Sequence, residues 1–332
     1  MEIVTGPTVQ MIIDSDKPKI VAAVRRAYEA MAHDSAASVP LSQFLRFPWD
    51  RESRAISLPA AIPGIDWFGL KWVSSFPANI RVNRPRASAV YVLNSLDTGQ
   101  AVAMLEASSI NAARTAASAS LAASVLSPTP DHPTTVGIIG AGVLARTILD
   151  YLFEMSTPPI SSLLVNDLDP ASASHLVGHA RKRGLGATVG TLERVLRCGL
   201  IVLATTASTP YLPTSIRFAP GQVVLNVSLR DIAPDTILAS QNVVDNAEHC
   251  LREQTSVHLA EQVSGSRDFV TAELPDCLAH PGRLNPAKPV IFSPFGLGAL
   301  DLATAAYVYQ TAHRRRLTIS IADFHGPDLR WQ

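Results

Sequence analysis

The stretch TTVGIIGAGVLA, from Thr134 to Ala145, decides the reading of this chain. A short, largely apolar run enters a glycine turn and leaves as a helix. Gly140 permits the tight turn, Gly142 lets the backbone approach a pyrophosphate, and Ala145 allows the helix to pack closely on the strand. The first N–H groups of the helix have no partner within it and favour an anion, so Gly140, Ala141, Gly142, Val143 and Leu144 become candidate dinucleotide contacts. A GxGxxA spacing alone is of low specificity; the flanking strand and helix raise it. A second test is an acidic residue at the end of the next strand, able to accept from the adenine ribose. Asp167 in LLVNDLD meets it, while Asp169, before Pro170, reads as the cap of a helix starting near Ala171. No cation follows until Arg181, which favours NAD over NADP.

Outward from this turn the pattern alternates strand and helix. Strands are expected at Thr135–Ile139, Ser162–Asp167, Leu200–Thr205, Gln222–Val227, Asn242–Asp245 and Pro289–Phe292. Most are continuous apolar runs, as in a parallel sheet covered on both faces. Thr205, Thr206 and Ala207 follow the third of these strands, where ligands sit in doubly wound sheets, although an ordinary strand exit reads the same way. The loop Ser293–Gly298 is either a cover for the nicotinamide or a plain connector. Upstream, a helix over Lys19–Met31 precedes short runs at Ser42–Phe47, Arg54–Leu58, Trp67–Ser74, Ala87–Asn94 and Val102–Glu106, an α+β pattern. A small-residue helix, Ser108–Leu126, leads into the proline-rich break Ser127–Pro133. A last helix, Leu300–His313, and a strand, Leu317–Ala322, return to the first domain. The expected division is therefore residues 1–126 with 302–332 as an α+β domain and residues 127–301 as an α/β domain of Rossmann type.

The 332 residues carry 28 basic and 28 acidic side chains, so there is little electrostatic drive toward nucleic acid or an anionic membrane. A small polar or anionic metabolite is the expected partner. Cys198, Cys250 and Cys277 are scattered and show no zinc or disulfide spacing, so no metal is expected and a reducing cytoplasm fits. Nothing near the N-terminus reads as an export signal, and no run of about 18 apolar residues occurs.

Three charges stand out from their surroundings. Lys71 lies within the apolar run GLKWVSSFP, either facing solvent from a half-exposed strand or meeting a carboxylate in a cleft. Arg114 is the one charge in the small-residue helix, suited to a substrate carboxylate, a cofactor phosphate or a salt bridge. Asp231 follows VVLNVSLR, just past an expected strand; it either caps a helix near Ala233 or moves protons in a closed cleft.

Together, GLKWVSSFPAN, LNSLDTGQAVAMLEASSINAARTAAS, VGIIGAGVLA, NVSLRDIAPD and SPFGLGALDLATA resemble the ornithine cyclodeaminase/μ-crystallin family, in family order from Gly69 to Ala305. The resemblance implies an N-terminal domain, completed by the C-terminal segment, that binds substrate and forms a homodimer. Lys71 and Arg114 would hold a substrate carboxylate, and Asp231 would handle protons at the amine. It also implies NAD contacts at Thr115, Ser228, Leu229 and Gly296, besides Thr205 and Thr206. FLRF, RPRAS, VSLRD and SPFGLG resemble the branch of N-(2-amino-2-carboxyethyl)-L-glutamate dehydrogenases, which make 2,3-diaminopropionate for siderophores and peptide antibiotics. Arg86 and Ser228-Leu229-Arg230 depart from the cyclodeaminases. Such an adduct has three carboxylates, and Arg46, Lys71, Arg86, Arg114 and Arg230 are the cations available for them. A cyclodeaminase, a ketimine reductase and a non-catalytic ligand-binding protein are the other readings within the family.

Overall fold

The computed structural model describes residues 1–33 and 36–326. They divide into two units: residues 1–114 with the segment from Leu297 onward, and residues 115–296. The first unit contains β1 (Glu2–Val4), α1 (Gly6–Ser15), α2 (Lys17–His33), β2 (Gln43–Phe47), β3 (Asp50–Ala60), β4 (Trp67–Ser75), β5 (Ala87–Ser95), β6 (Ala101–Glu106) and the start of α3 (Ser108–Leu126). The second runs through β7 (Thr134–Ile139), α4 (Val143–Met155), β8 (Ile160–Asn166), α5 (Pro170–Lys182), β9 (Ala187–Val189), α6 (Leu192–Val195), β10 (Leu200–Leu203) and β11 (Val223–Asn226). It continues with α7 (Pro234–Leu238), β12 (Gln241–Val244), α8 (Ala247–Cys250), α9 (Ser256–Ser264), β13 (Val270–Glu273), α10 (Leu274–Ala279) and β14 (Val290–Ser293). The chain then re-enters the first unit as α11 (Gly298–Arg314) and β15 (Ile319–Ser320).

In the first unit the described residues form one sheet in the order β15-β1-β6-β5-β4-β3-β2, antiparallel except between β1 and β6. Alternation along the strands gives it two unlike faces. One face carries the cross-strand row Val4, Leu105, Tyr91, Lys71 and Leu58, all buried. The other carries Ile3, Met104, Val92, Leu70 and, in mid-sheet, Trp72 and Val90, which remain 40% and 38% exposed. Tyr91 fits its row because its diagonal neighbour on β4 is Gly69, where a Cβ would come within 2.4 Å of the Tyr91 ring.

In the second unit all strand pairs are parallel, in the order β13-β12-β14-β11-β10-β7-β8-β9. The chain winds outward from β7 through β8 to β9, then crosses back to β10 and β11. The direction therefore reverses between β7 and β10, at a topological switch point where open α/β sheets bind ligands. The central strands β10, β11, β12 and β14 are buried throughout, which is why all but β12, with Gln241 and Asn242, read largely as apolar runs.

Both seams lie elsewhere than the composition suggests. The Ser127–Pro133 break follows α3, yet the units separate inside that helix, between Arg114 and Thr115. Every residue from Ala113 to Ala123 is buried, so the small side chains serve a helix packed on all sides. The second seam is Gly296/Leu297, upstream of the expected 301/302, because α11 starts at Gly298 and packs on β3, β4, β5 and β6 as a whole helix. That shift moves Asp301 into the first unit. β1, β9 and β13 were not anticipated; each has only three or four residues, too few for a periodic signal. Among the described residues, no helix is long and apolar enough to cross a membrane.

Candidate active-site residues

In the first unit the centre of the buried sheet face is an ion cluster. Lys71 Nζ, 1% exposed, lies 2.7 Å from Asp301 Oδ2 and donates to Asn111 Oδ1 at 2.7 Å. Arg114 donates through Nε to Asp301 Oδ1 at 3.0 Å and through Nη2 to the same Asn111 oxygen at 2.7 Å. Thus α3 supplies Asn111 and Arg114 one turn apart, β4 supplies Lys71, and the first turn of α11 supplies Asp301, where the helix dipole favours a carboxylate. Two cations share one buried anion, so the cluster keeps a net positive charge. Burial, opposed by Asp301 and reinforced by Arg114, brings the Lys71 ammonium down to about 8. The Tyr91 hydroxyl is fully buried with no hydrogen-bond partner among the described residues, and its pKa is pushed well above that of an ordinary phenol by burial and by Asp301.

Further along the same face, the row four residues past Lys71 on β4 contains Ser75, Arg54 and Arg46. Arg86 Nε donates to Ser75 Oγ at 3.1 Å, and Arg46 lies over the Phe44 ring at 5.3 Å. Four residues of strand separate the rows, about 13 Å. Lys71 is therefore neither a solvent-facing lysine nor an unpaired one, and Arg114 makes the salt bridge that was one of its readings. Asp301, Asn111, Tyr91 and Arg54 were not singled out from the sequence. Asp301 left a signal of the same kind as Lys71 and Arg114: a lone acid in the apolar run SPFGLGALDLATAA.

In the second unit, Gly140 has φ +88°, and a Cβ there would lie 2.5 Å from Ala204 O, so β7 must turn beneath the end of β10 on a glycine. Gly142 is the N-cap of α4, with no side-chain cap and open space where its Cβ would be. The turn thus leaves an uncapped helix start and a clear approach, which fits a dinucleotide pyrophosphate. Asp167 Oδ2 accepts from Ala141 N at 2.6 Å, so the turn already holds an anionic oxygen from the chain itself. Asp169 caps α5 by accepting from Ala171 N and Ser172 N. Val143 and the residue after Asp167, Leu168, are exposed, as is Thr206, whereas Leu144 and Leu229 are half-buried and Thr115 is buried.

At the carboxyl ends of β10 and β11, Ser228 N donates to Leu203 O at 2.9 Å and Ser228 Oγ accepts from Thr205 N at 2.8 Å. Thr205 Oγ1 lies 2.8 and 2.9 Å from the two Asp231 carboxylate oxygens, and Tyr211 OH donates to Oδ2 at 3.1 Å. Asp231 has no exposed surface; burial pushes its carboxyl pKa up and favours the protonated form, partly offset by the Thr205, Ser228 and Tyr211 hydroxyls. It does not cap α7, whose N-cap is Ala233. Arg230 turns away to the carbonyls of Gln254 (2.9 Å) and Glu253 (2.6 Å). The loop after β14 is held by Asp245, which accepts from Phe295 N at 3.0 Å and from Gly296 N at 2.7 Å. Tyr211 and Asp245 were also missed by the sequence reading. Asp245 stood in view as the last residue of an expected strand.

The sequence profile of the ornithine cyclodeaminase/mu-crystallin family matches residues 15–316. The chain belongs to this family. Among characterised relatives it is similar to the N-((2S)-2-amino-2-carboxyethyl)-L-glutamate dehydrogenase of Staphylococcus aureus, 28% identical over 90% of this chain and 91% of that protein. Its fold matches Δ1-pyrroline-2-carboxylate reductase of Thermococcus litoralis, solved with NADH and L-proline, at a TM-score of 0.88 and 24% identity over 97% of this chain and all of that one. It also matches an archaeal alanine dehydrogenase dimer with bound NAD, at a TM-score of 0.85 and 24% identity over 97% and 100% of the two chains. The likeness to these two solved structures shows the fold of the chain.

Proposed function

We propose that this family member is an NAD-dependent dehydrogenase that cleaves the C–N bond of N-(2-amino-2-carboxyethyl)-L-glutamate, giving L-2,3-diaminopropionate and 2-oxoglutarate. The observation that carries the reading is the distribution of cations over one sheet face: Lys71 with Arg114 of α3 beside it, then, about 13 Å along, the row of Arg54 and Arg46 with Arg86 bonded to its Ser75. A substrate with a single carboxylate needs only the first group. An adduct with three carboxylates uses both, and the 28% identical staphylococcal relative is named for that adduct. Arg230, committed to the Glu253 and Gln254 carbonyls, is better read as a brace for its loop than as a substrate cation.

The Gly140–Leu144 turn and Asp167 would hold the dinucleotide, with Thr115, Thr205, Thr206, Ser228, Leu229 and Gly296 as further contacts. Bound NAD supplies the oxidation of the glutamate α-carbon. Lys71 and Arg114 fix a carboxylate so that this C–H bond has one orientation. Asp231 takes the proton that the substrate nitrogen must lose, then serves the water that adds to the resulting imine. Water balances the reaction: adduct, NAD and water give 2-oxoglutarate, diaminopropionate, NADH and a proton. The product would serve siderophore or peptide-antibiotic assembly.

The test is absorbance at the NADH band when the purified protein meets NAD and the synthetic adduct, with stoichiometric 2-oxoglutarate expected. Absence of signal together with conversion of ornithine to proline would favour a cyclodeaminase, which regenerates its NAD. The same proposal includes a homodimer formed through the sheet face that exposes Trp72 and Val90, an apolar surface at the centre of a sheet. A Trp72→Arg variant should elute as a monomer in size-exclusion chromatography with light scattering; an unchanged mass would place the contact elsewhere.

A further inference from the structure

Asp231 has no exposed surface, and the contacts described for its carboxylate are hydroxyls. A carboxylate so enclosed cannot reach a substrate nitrogen or bulk water unaided. Thr205 Oγ1 is spread over both carboxylate oxygens and also accepts from Ala207 N at 3.2 Å, so its hydrogen is committed inward and it acts as a clamp. Tyr211 differs. It is 40% exposed, its hydroxyl reaches Asp231 Oδ2, and its own backbone N–H, with that of Leu212, bonds to Asp231 O at 3.3 and 3.2 Å. Ring and main chain therefore tie one surface tyrosine to one interior carboxylate.

We propose that Tyr211 is the catalytic proton shuttle of this site, passing protons between the substrate nitrogen and the buried Asp231. The inference rests on the reading of the protein as an amino-acid dehydrogenase that uses Asp231 for protons. In the step, the substrate N–H bond breaks and its proton joins the phenol oxygen as the phenol O–H bond breaks and its proton joins Asp231 Oδ2. Tyr211 ends as it began, and Asp231 ends neutral; the reverse transfer returns the proton to the leaving amine. The electrostatics suit a shuttle. Burial keeps Asp231 readier to accept a proton than an ordinary carboxylate. Burial, then Asp231 and, more weakly, Asp167 keep the phenol protonated, with Thr205 opposing.

Tyr211→Phe keeps the ring and removes only the hydroxyl. On whichever amino acid the wild-type protein oxidises, kcat should fall at least about tenfold with NAD affinity unchanged. The Tyr211→Phe/Asp231→Asn double variant should be no slower than Asp231→Asn alone, because two members of one relay do not add. A wild-type kcat in Tyr211→Phe, or losses that multiply in the double variant, would overturn the shuttle. An infrared titration of the Asp231 carboxyl needs no turnover and so stands even if the substrate assignment fails: loss of the phenol donor should move the midpoint up. An unmoved midpoint would show that the phenol does not serve this carboxylate.

Discussion

Two fully buried aspartates, one in each unit, are treated in opposite ways. Asp301 is met by the charges of Lys71 and Arg114, at 2.7 and 3.0 Å. Asp231 is met by the neutral hydroxyls of Thr205 and Tyr211. A carboxylate between two fixed cations is a strut, since protonating it would strand both partners. A carboxylate whose neighbours are hydroxyls, and which burial tilts toward the neutral form, is suited to carrying a proton. On the proposed function, binding belongs to the first unit and proton movement to the second, and each part of that proposal can be broken separately.

The sharpest break is Asp231→Asn. Turnover should fall by about 100- to 10,000-fold, the range of general acid–base catalysis, while calorimetric NAD affinity holds. Equal loss of both would make Asp231 a folding residue. Asp301→Asn should act on the other quantity: with Lys71 and Arg114 left buried without their anion, urea denaturation should show a loss of about 3–5 kcal/mol. A fully stable variant would remove the strut. Asp167→Ala concerns the cofactor turn; losing charge-assisted hydrogen bonds of about 1.5–3 kcal/mol should raise the NAD KM roughly 10- to 150-fold and leave the substrate KM alone.

The smallest effect is in pH. On the proposed function Lys71 holds a substrate carboxylate, which it can do only as an ammonium; its folded-state value is about 8, so kcat/KM should decline as pH rises beyond that. Lys71→Arg should flatten that limb. The stability sign is opposite: between about 8 and 10.5 the unfolded chain retains the proton that the folded chain has released, so stability rises with pH across that window. A melting temperature that falls steadily over the same interval would contradict the burial of an ammonium here.

The parallel sheet was legible because its central strands are buried on both faces and β10 and β11 therefore read as apolar runs ended by polar residues, as at Leu203 before Thr205 and Leu225 before Asn226. Lys71, Arg114 and Asp231 were legible as charges in apolar surroundings. Their partners were less so. Asp301 is 230 residues from Lys71 in the chain, and only folding makes them neighbours; Tyr211 lies in a loop where a tyrosine has no pattern to violate. The seam inside α3 left no mark because its alanines suit a helix packed against either unit.

The Lys71, Asn111, Arg114 and Asp301 quartet also bears on how substrates diversify within such a scaffold. Each member contacts at least two of the others, so a change at one alters the stability and charge of all, and a viable replacement requires several substitutions at once. Arg46, Arg54 and Arg86 lie outside it, exposed or half-exposed, where single exchanges disturb little packing. Descent with altered specificity should therefore leave a frozen inner quartet and a drifting outer row, so the outer row is where one lineage would record the acids it has come to accept.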